Sequence, residues 1–168
     1  VLVDGVGQFL HAHGQLKELR RRGATVLVYA PLLGRPIFGP PNLRNHRKMI
    51  LVDNAHGWIG GRNLANEYFD AREHWIDLSF TVSGSVVQTL AMLFDYDWTV
   101  AARGRWSPPA LRQPEPPADA AIVVPSGPEF ADDTYHALLV WACHQARDRI
   151  AIATPYFVPD LELNAALV

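Results

Sequence analysis

The stretch NHRKMILVDNAHGWIGGRN, residues 45–63, gathers an imidazole, an amine, a carboxylate, a glycine pair and a carboxamide. Its centre reads as a β-strand, and side chains alternate across a strand. His46, Lys48, Ile50 and Val52 therefore share one face, while Arg47, Met49, Leu51 and Asp53 share the other. His46 and Lys48 point the same way, about 7 Å apart by the usual rise per residue. DNAHG must turn, and a turn centred near Ala55 brings Asn63 back opposite Arg47 or Lys48. Gly60 and Gly61 carry no Cβ, so an anionic group has close access to the backbone there. A nucleophilic imidazole, a fixed positive charge, an amide donor and an open floor suit a tetrahedral phosphoryl group. Asp53 faces away from the His, and a turn and capping role suits it better. Taken alone, a His-x-Lys on a strand is ordinarily a solvated edge, and a Gly-Gly ordinarily serves backbone geometry. The joint spacing is what discriminates.

These residues need a scaffold, and the surrounding pattern supplies one. VLV (1–3) reads as a strand, Leu10 to Arg22 as a helix stopped by Gly23, and ATVLVYA (24–30) as a second strand. Strand, helix and strand fit a βαβ unit with a parallel pair. The proline-rich PLLGRPIFGPPN (31–42) is a loop, and a helix is expected from Leu64 to Ala71. WIDLSFTV (75–82) alternates, with Ile76, Leu78, Phe80 and Val82 opposite Asp77, Ser79 and Thr81. SVVQTLAMLFDYDW (85–98) has helical spacing. WSPPALRQPEPPADA (106–120) excludes helix interior and central strand, so residues 106–121 form a linker. Beyond it AIVVP, Thr134 to Arg147 and RIAIATP restart a strand, helix and strand order. The expected organisation is a first α/β repeat over 1–105 and the beginning of a second over 122–168.

Bulk composition narrows the field. The chain has 168 residues, 49% hydrophobic and 19% charged, a globular balance. Its net charge of −2 provides no broad positive field for nucleic acid, which weighs against a nuclease. Cys143 stands alone, so neither a disulfide framework nor a cysteine metal site is expected; its helical context suggests a buried thiol. No apolar run reaches the roughly 18 residues of a membrane span, so this stretch by itself reads as soluble. The chain opens inside the strand-like VLVDGVG and stops inside the helix-like LELNAALV, which reads as a piece of a longer protein. His11, His13, His56, His74, His136 and His144 lack a ligand pattern beyond the His11-x-His13 pair, and read as surface or satisfied core residues.

The spacing His46-x-Lys48-x4-Asp53-x6-Gly60-Gly61-x-Asn63 matches the signature of the phospholipase D superfamily, with Gly61 where serine is commonest. LVDGVG, RNHRKMILVD, GGRNLANEYFD, HWID, GSVV with a later Phe-x3-Trp, VVPSGPE and TPYFVPD resemble bacterial cardiolipin synthases in order and spacing, across essentially the whole chain. TPYFVPD most favours that branch over nucleases of the superfamily. The resemblance implies a mixed sheet flanked by helices, and phosphatidyl transfer through a covalent phosphohistidine. His46 is the nucleophile by this reading, although nucleophile and acid exchange roles if the second repeat's His attacks first. Lys48 and Asn63, with the Gly60-Gly61 floor, would hold the phosphate, and no metal or other cofactor is called for. Asp53 belongs to the family's catalytic motif. Asp77, in the Trp-x-Asp position, is expected to accept a hydrogen bond from His46. Asp4, Glu67 and Tyr156 are possible pocket residues by analogy, and Arg44 and Arg47 either attract anionic headgroups or are solvated surface charge.

The implied substrate is phosphatidylglycerol, with a second phosphatidylglycerol or another alcohol as acceptor, at the bacterial inner membrane in the full-length protein. No nucleic acid partner is expected. Two rivals stay open: a phosphodiesterase or nuclease that uses water, and a non-catalytic domain that binds anionic lipid. One motif supplies one His, so these residues alone are expected to be inactive without a second repeat or a dimer partner.

Overall fold

The computed structural model describes residues 1–7, 13–31, 44–70, 75–103, 121–127, 130, 133–154 and 156–168. Nearly all of the expected loop over 31–42 and of the 106–121 linker, and the start of the first helix, lie outside these residues. The architecture is α/β, and it divides into two compact units, Val1–Val123 and Val124–Val168.

In the first unit β1 (Leu2–Asp4) pairs in parallel with β2 (Leu27–Tyr29), and α1 (His13–Arg21) lies between them in sequence. Gly23 ends α1 as its composition demands. It adopts φ +92°, and its amide and that of Ala24 donate to the carbonyls of Arg20 and Leu19.

A second, antiparallel sheet has the order β3-β4-β5, formed by Lys48–Val52, His56–Gly60 and Ser79–Ser83. The β3–β4 turn is centred on Asn54 rather than Ala55, because Asp53 and Asn54 both take left-handed conformations, φ 55° and 53°. Asp and Asn tolerate that region better than other non-glycine residues. The register follows from the turn: Lys48 faces Gly60, and Val52 faces His56.

Helix α2 (Ser85–Arg103) packs on both sheets. Its buried residues Val86, Leu90, Leu93, Asp97 and Val100 recur every three or four positions, the stripe a core-facing helix requires. Val87 and Val100 are wholly enclosed, and Val100 closes on Tyr29 and Ala30 of the parallel pair. Each such aliphatic side chain contributes about 1.5–3 kcal/mol on burial. Gly57 lies against Leu51, Val82 and Leu90, so the Met49/Leu51 side of the sheet is the one that meets α2.

Two expectations for this unit need correction. The helix expected over 64–71 is a single 3-10 turn, Asn66–Tyr68, because Ala65 remains extended at φ −140°, ψ 151° and Phe69 leaves the helical region. Strand β5 begins at Ser79, leaving Ile76 and Leu78 outside the ladder and largely exposed. Alternation correctly separated the faces, but the apolar face is only partly covered, since Phe80 is exposed as well.

In the second unit α3 (Thr134–Gln145) packs against α4 (Leu161–Ala166). Asp133 caps α3 by accepting from the His136 amide at 3.0 Å, and Asp160 caps α4 by accepting from the Leu163 amide at 2.8 Å. AIVVP and the described part of RIAIATP form no strand. Cys143 is half-buried rather than enclosed.

Candidate functional site

The site begins where the chain enters β3. Asn45 accepts a hydrogen bond from the Arg47 amide through Oδ1 (3.0 Å), an Asx turn that encloses His46. Lys48 then reaches back, its Nζ donating to the His46 carbonyl at 2.8 Å. The His46 residue is exposed, the partly sheltered Lys48 is joined to its backbone, and the two lie at the mouth of the hairpin.

Around Lys48 the structure gathers negative charge. Burial pulls its ammonium below the ordinary lysine value, and the carboxylates of Asp77 and Asp4 oppose that shift. A half-desolvated ammonium of this kind gains more from an incoming phosphate than a solvated one does. Asp4 ends β1 and is a junction: Oδ1 accepts from the Val6 amide at 2.9 Å, Oδ2 accepts from the Asn45 amide at 3.3 Å, and Arg44 pairs with it at 3.3 Å.

The glycine pair acts differently from the expectation. A Cβ on Gly60 would stand 2.5 Å from both the Leu78 carbonyl and Ser79 Oγ, and one on Gly61 would stand 2.8 Å from Asp77 Oδ1. The glycines therefore admit the neighbouring chain, and with it the Asp77 carboxylate, to close range. The space above them is occupied by protein rather than left open. The Gly61 amide donates to the Leu78 carbonyl at 3.2 Å, which carries the pairing one step beyond β4. Ser79 Oγ is buried in this row without a hydrogen-bond partner among the described residues.

Other expected members fall elsewhere. No hydrogen bond joins Asp77 to His46 among the described residues; Asp77 instead lies over Gly61 and acts on Lys48 through its charge. Asp53 sits in the left-handed turn at the opposite end of β3. The turn's steric demand fixes it there, away from Lys48. Asn63 lies beyond the end of β4 and donates through Nδ2 to the Tyr68 hydroxyl at 3.0 Å, so the observed register does not set it opposite Lys48. Glu67 is exposed in the 3-10 turn, with its carbonyl receiving the Trp75 amide at 3.2 Å. Tyr156 belongs to the second unit and is 85% exposed.

The basic residues flanking His46 are not solvated. Arg44 pairs with Asp4, and Arg47 donates to Asp97 at 2.6 Å. Asp97 itself was not legible as a site residue, because it occupies a core position of α2. It also accepts from Asn45 Nδ2 at 2.8 Å. A cavity of about 70 Å³ beside this cluster is lined by Asp4, Asn45, Arg47, Met49 and Asp97, and not by His46 or Lys48. It lies among the packing residues. Among the described residues no three His, Cys, Asp or Glu side chains gather as a metal site, and no helix is long and apolar enough to cross a membrane.

This hairpin mouth lies in a chain that resembles cardiolipin synthases along nearly all of its length. Cardiolipin synthase A of Pseudomonas fluorescens strain SBW25 is 35% identical, over 99% of this chain and 36% of the relative. Cardiolipin synthase of Geobacillus thermodenitrificans strain NG80-2 is 30% identical, over 99% and 34%. Cardiolipin synthase 1 of Bacillus anthracis is 32% identical, over 96% and 34%. The chain thus spans about a third of the length of the curated relatives it matches. No family model matches it. No solved structure matches it either.

Proposed function

We propose that this chain carries one catalytic motif of a phosphatidyltransferase that joins two phosphatidylglycerols into cardiolipin and glycerol. The observation that carries the reading is the His46–Lys48 pair at the mouth of the β3–β4 hairpin, with Lys48 half-desolvated between Asp77 and Asp4. It occurs within a chain similar to cardiolipin synthases throughout.

In the first step the His46 imidazole attacks the phosphorus of phosphatidylglycerol. A nitrogen–phosphorus bond forms, the bond to the glycerol oxygen breaks, and a second His protonates the departing glycerol. In the second step the headgroup hydroxyl of another phosphatidylglycerol gives its proton to that second His and attacks the same phosphorus, releasing His46. Imidazole suits both steps because its ordinary pKa lies near neutrality. Lys48 spends one N–H on the His46 carbonyl and keeps its other donors for the phosphoryl oxygens. Asp77 sustains the positive charge of Lys48 from across Gly61, and Asn63 serves the phosphate once its amide leaves Tyr68. The second His comes from a second repeat or from a partner copy, and 122–168 reads as the start of such a repeat. The membrane surface supplies both lipids.

The test uses the full-length protein with phosphatidylglycerol vesicles. New cardiolipin with released glycerol supports transfer, whereas phosphatidic acid identifies water as the acceptor. Loss of all turnover in His46→Ala, together with a phosphohistidine in the parent, supports the nucleophile role. Undiminished lipid binding with no turnover in the parent would replace the enzyme by a lipid-binding domain.

A further inference from the structure

The described residues hold one buried carboxylate that the proposed chemistry does not use. Asp97 is 2% exposed, on the same α2 stripe as Leu90, Leu93 and Val100. An apolar residue there would complete the core without desolvating a charge. Instead Asp97 Oδ1 accepts from Arg47 at 2.6 Å, and Oδ2 accepts from Asn45 Nδ2 at 2.8 Å.

Those two partners are the neighbours of His46 on either side. The Asn45 carboxamide also receives the Arg47 amide, closing the Asx turn around His46, while Lys48 caps the His46 carbonyl. Asp4 holds the same segment from β1, through the Asn45 amide and Arg44. The backbone of an exposed imidazole is thus fixed on both flanks and at its own carbonyl. Buried ion pairs of this sort add little net stability compared with apolar packing of the same volume. What they add is geometry, and a nucleophile misplaced by about 1 Å loses on the order of 100-fold in rate.

We infer that Asp97 is a positioning residue for His46, acting through Asn45 and Arg47. This rests on the nucleophile role proposed above. It predicts that the clamp governs how fast His46 captures phosphorus, and not how well lipid binds or how many molecules fold.

The experiment measures phosphohistidine formation by rapid quench in the full-length protein with labelled phosphatidylglycerol. Its variants are Asp97→Asn, Asn45→Ala, and the double substitution Arg47→Met with Asp97→Leu. The double variant removes both charges, so no unpaired ion is left inside to unfold the protein. Asp97→Asn and the double variant should form phosphohistidine about 100-fold more slowly. Their burst amplitude per folded molecule, and their KM, should stay within about twofold of the parent. Asn45→Ala, which leaves the ion pair, should fall by about 10-fold on the same scale. A normal rate with reduced amplitude would show that Asp97 only supports folding and would overturn the inference, as would a double variant as fast as the parent. A parent that forms no phosphohistidine at His46 removes the nucleophile reading and this one together. A parent that forms it, with variants that match its rate, removes the positioning role alone.

Discussion

The two units solve the same packing problem to different degrees. In Val1–Val123 an amphipathic helix presents one apolar stripe to two sheets, and Val87, Leu90, Leu93 and Val100 are almost fully enclosed. In Val124–Val168 helix α3 is apolar around most of its circumference, yet neither helix has a buried residue, and Leu138 and Trp141 face outward. A trough of about 480 Å³ lined by Ile150, Ile152, Thr154, Phe157 and Leu167 lies open in the same unit. A helix apolar on several sides is built to be covered on several sides. The contrast teaches that a core forms where a helix stripe meets a paired sheet, and that α3 and α4 alone do not make one.

The largest effect that sharpens this contrast is on stability. Leu90→Ala should destabilise the first unit by about 2–5 kcal/mol, whereas Leu138→Ala in α3 should cost under about 1 kcal/mol. Chemical denaturation of the two variants compares them, and equal losses would erase the distinction. Gly60→Ala comes next. Its new Cβ meets the Leu78 carbonyl and the Ser79 backbone, which cannot rotate away, so a loss of about 1–3 kcal/mol is expected from overpacking. Gly61→Ala first meets the Asp77 carboxylate, which can swing aside, so its main effect should be on turnover rather than on the melting temperature.

A smaller change separates charge from packing. Asp77→Asn removes a group that raises the Lys48 pKa, so that pKa should fall further below the ordinary lysine value, as read from the Lys48 side-chain chemical shifts against pH. No movement would remove Asp77 from the electrostatics of the site.

The smallest effect lies in the second unit. His136 Nε2 stands 2.7 Å from Asp160, which raises the imidazole pKa above its ordinary value; Asp160 is held low by the Leu163 amide and by His136. Glu162 and Asp133 also face the imidazole and push in the same direction. The raised His favours the folded contact fully below its ordinary value of 6.5, and that contribution fades as pH rises through the higher folded value. The lowered Asp favours it above its ordinary value of 3.8, with loss as pH falls through the depressed one. Protection of the α3 and α4 amides, corrected for the intrinsic pH dependence of exchange, should therefore be greatest between those limits. A flat profile would show that the contact does not hold the helices together.

Much of this arrangement was legible because it depends on local periodicity. Alternation put Met49 and Leu51 on the face opposite His46 and Lys48, and helical spacing over residues 85–98 assigned α2. What was not legible depends on pairing. Two consecutive residues at positive φ move the hairpin centre by one position, and sequence composition does not distinguish turns centred on Asn54 and Ala55. Arg44 and Arg47 read as either headgroup-attracting or solvated surface charge because their partners, Asp4 and Asp97, lie some forty and fifty residues away. Asp97 breaks an otherwise apolar stripe, and that break was the available signal. The close surroundings of the glycine pair are set by residues 77–79, which approach from outside the motif. The hydrogen bond expected from His46 to Asp77 assumed a proximity that alternation along one strand does not fix.

The left-handed turn at Asp53–Asn54 has a practical consequence. It is exposed, and five residues of strand separate it from the hairpin mouth, about 17 Å along the chain. A cysteine placed at Ala55 offers an attachment point for a fluorophore that tests whether vesicles dock, while leaving the His46 end of the hairpin untouched.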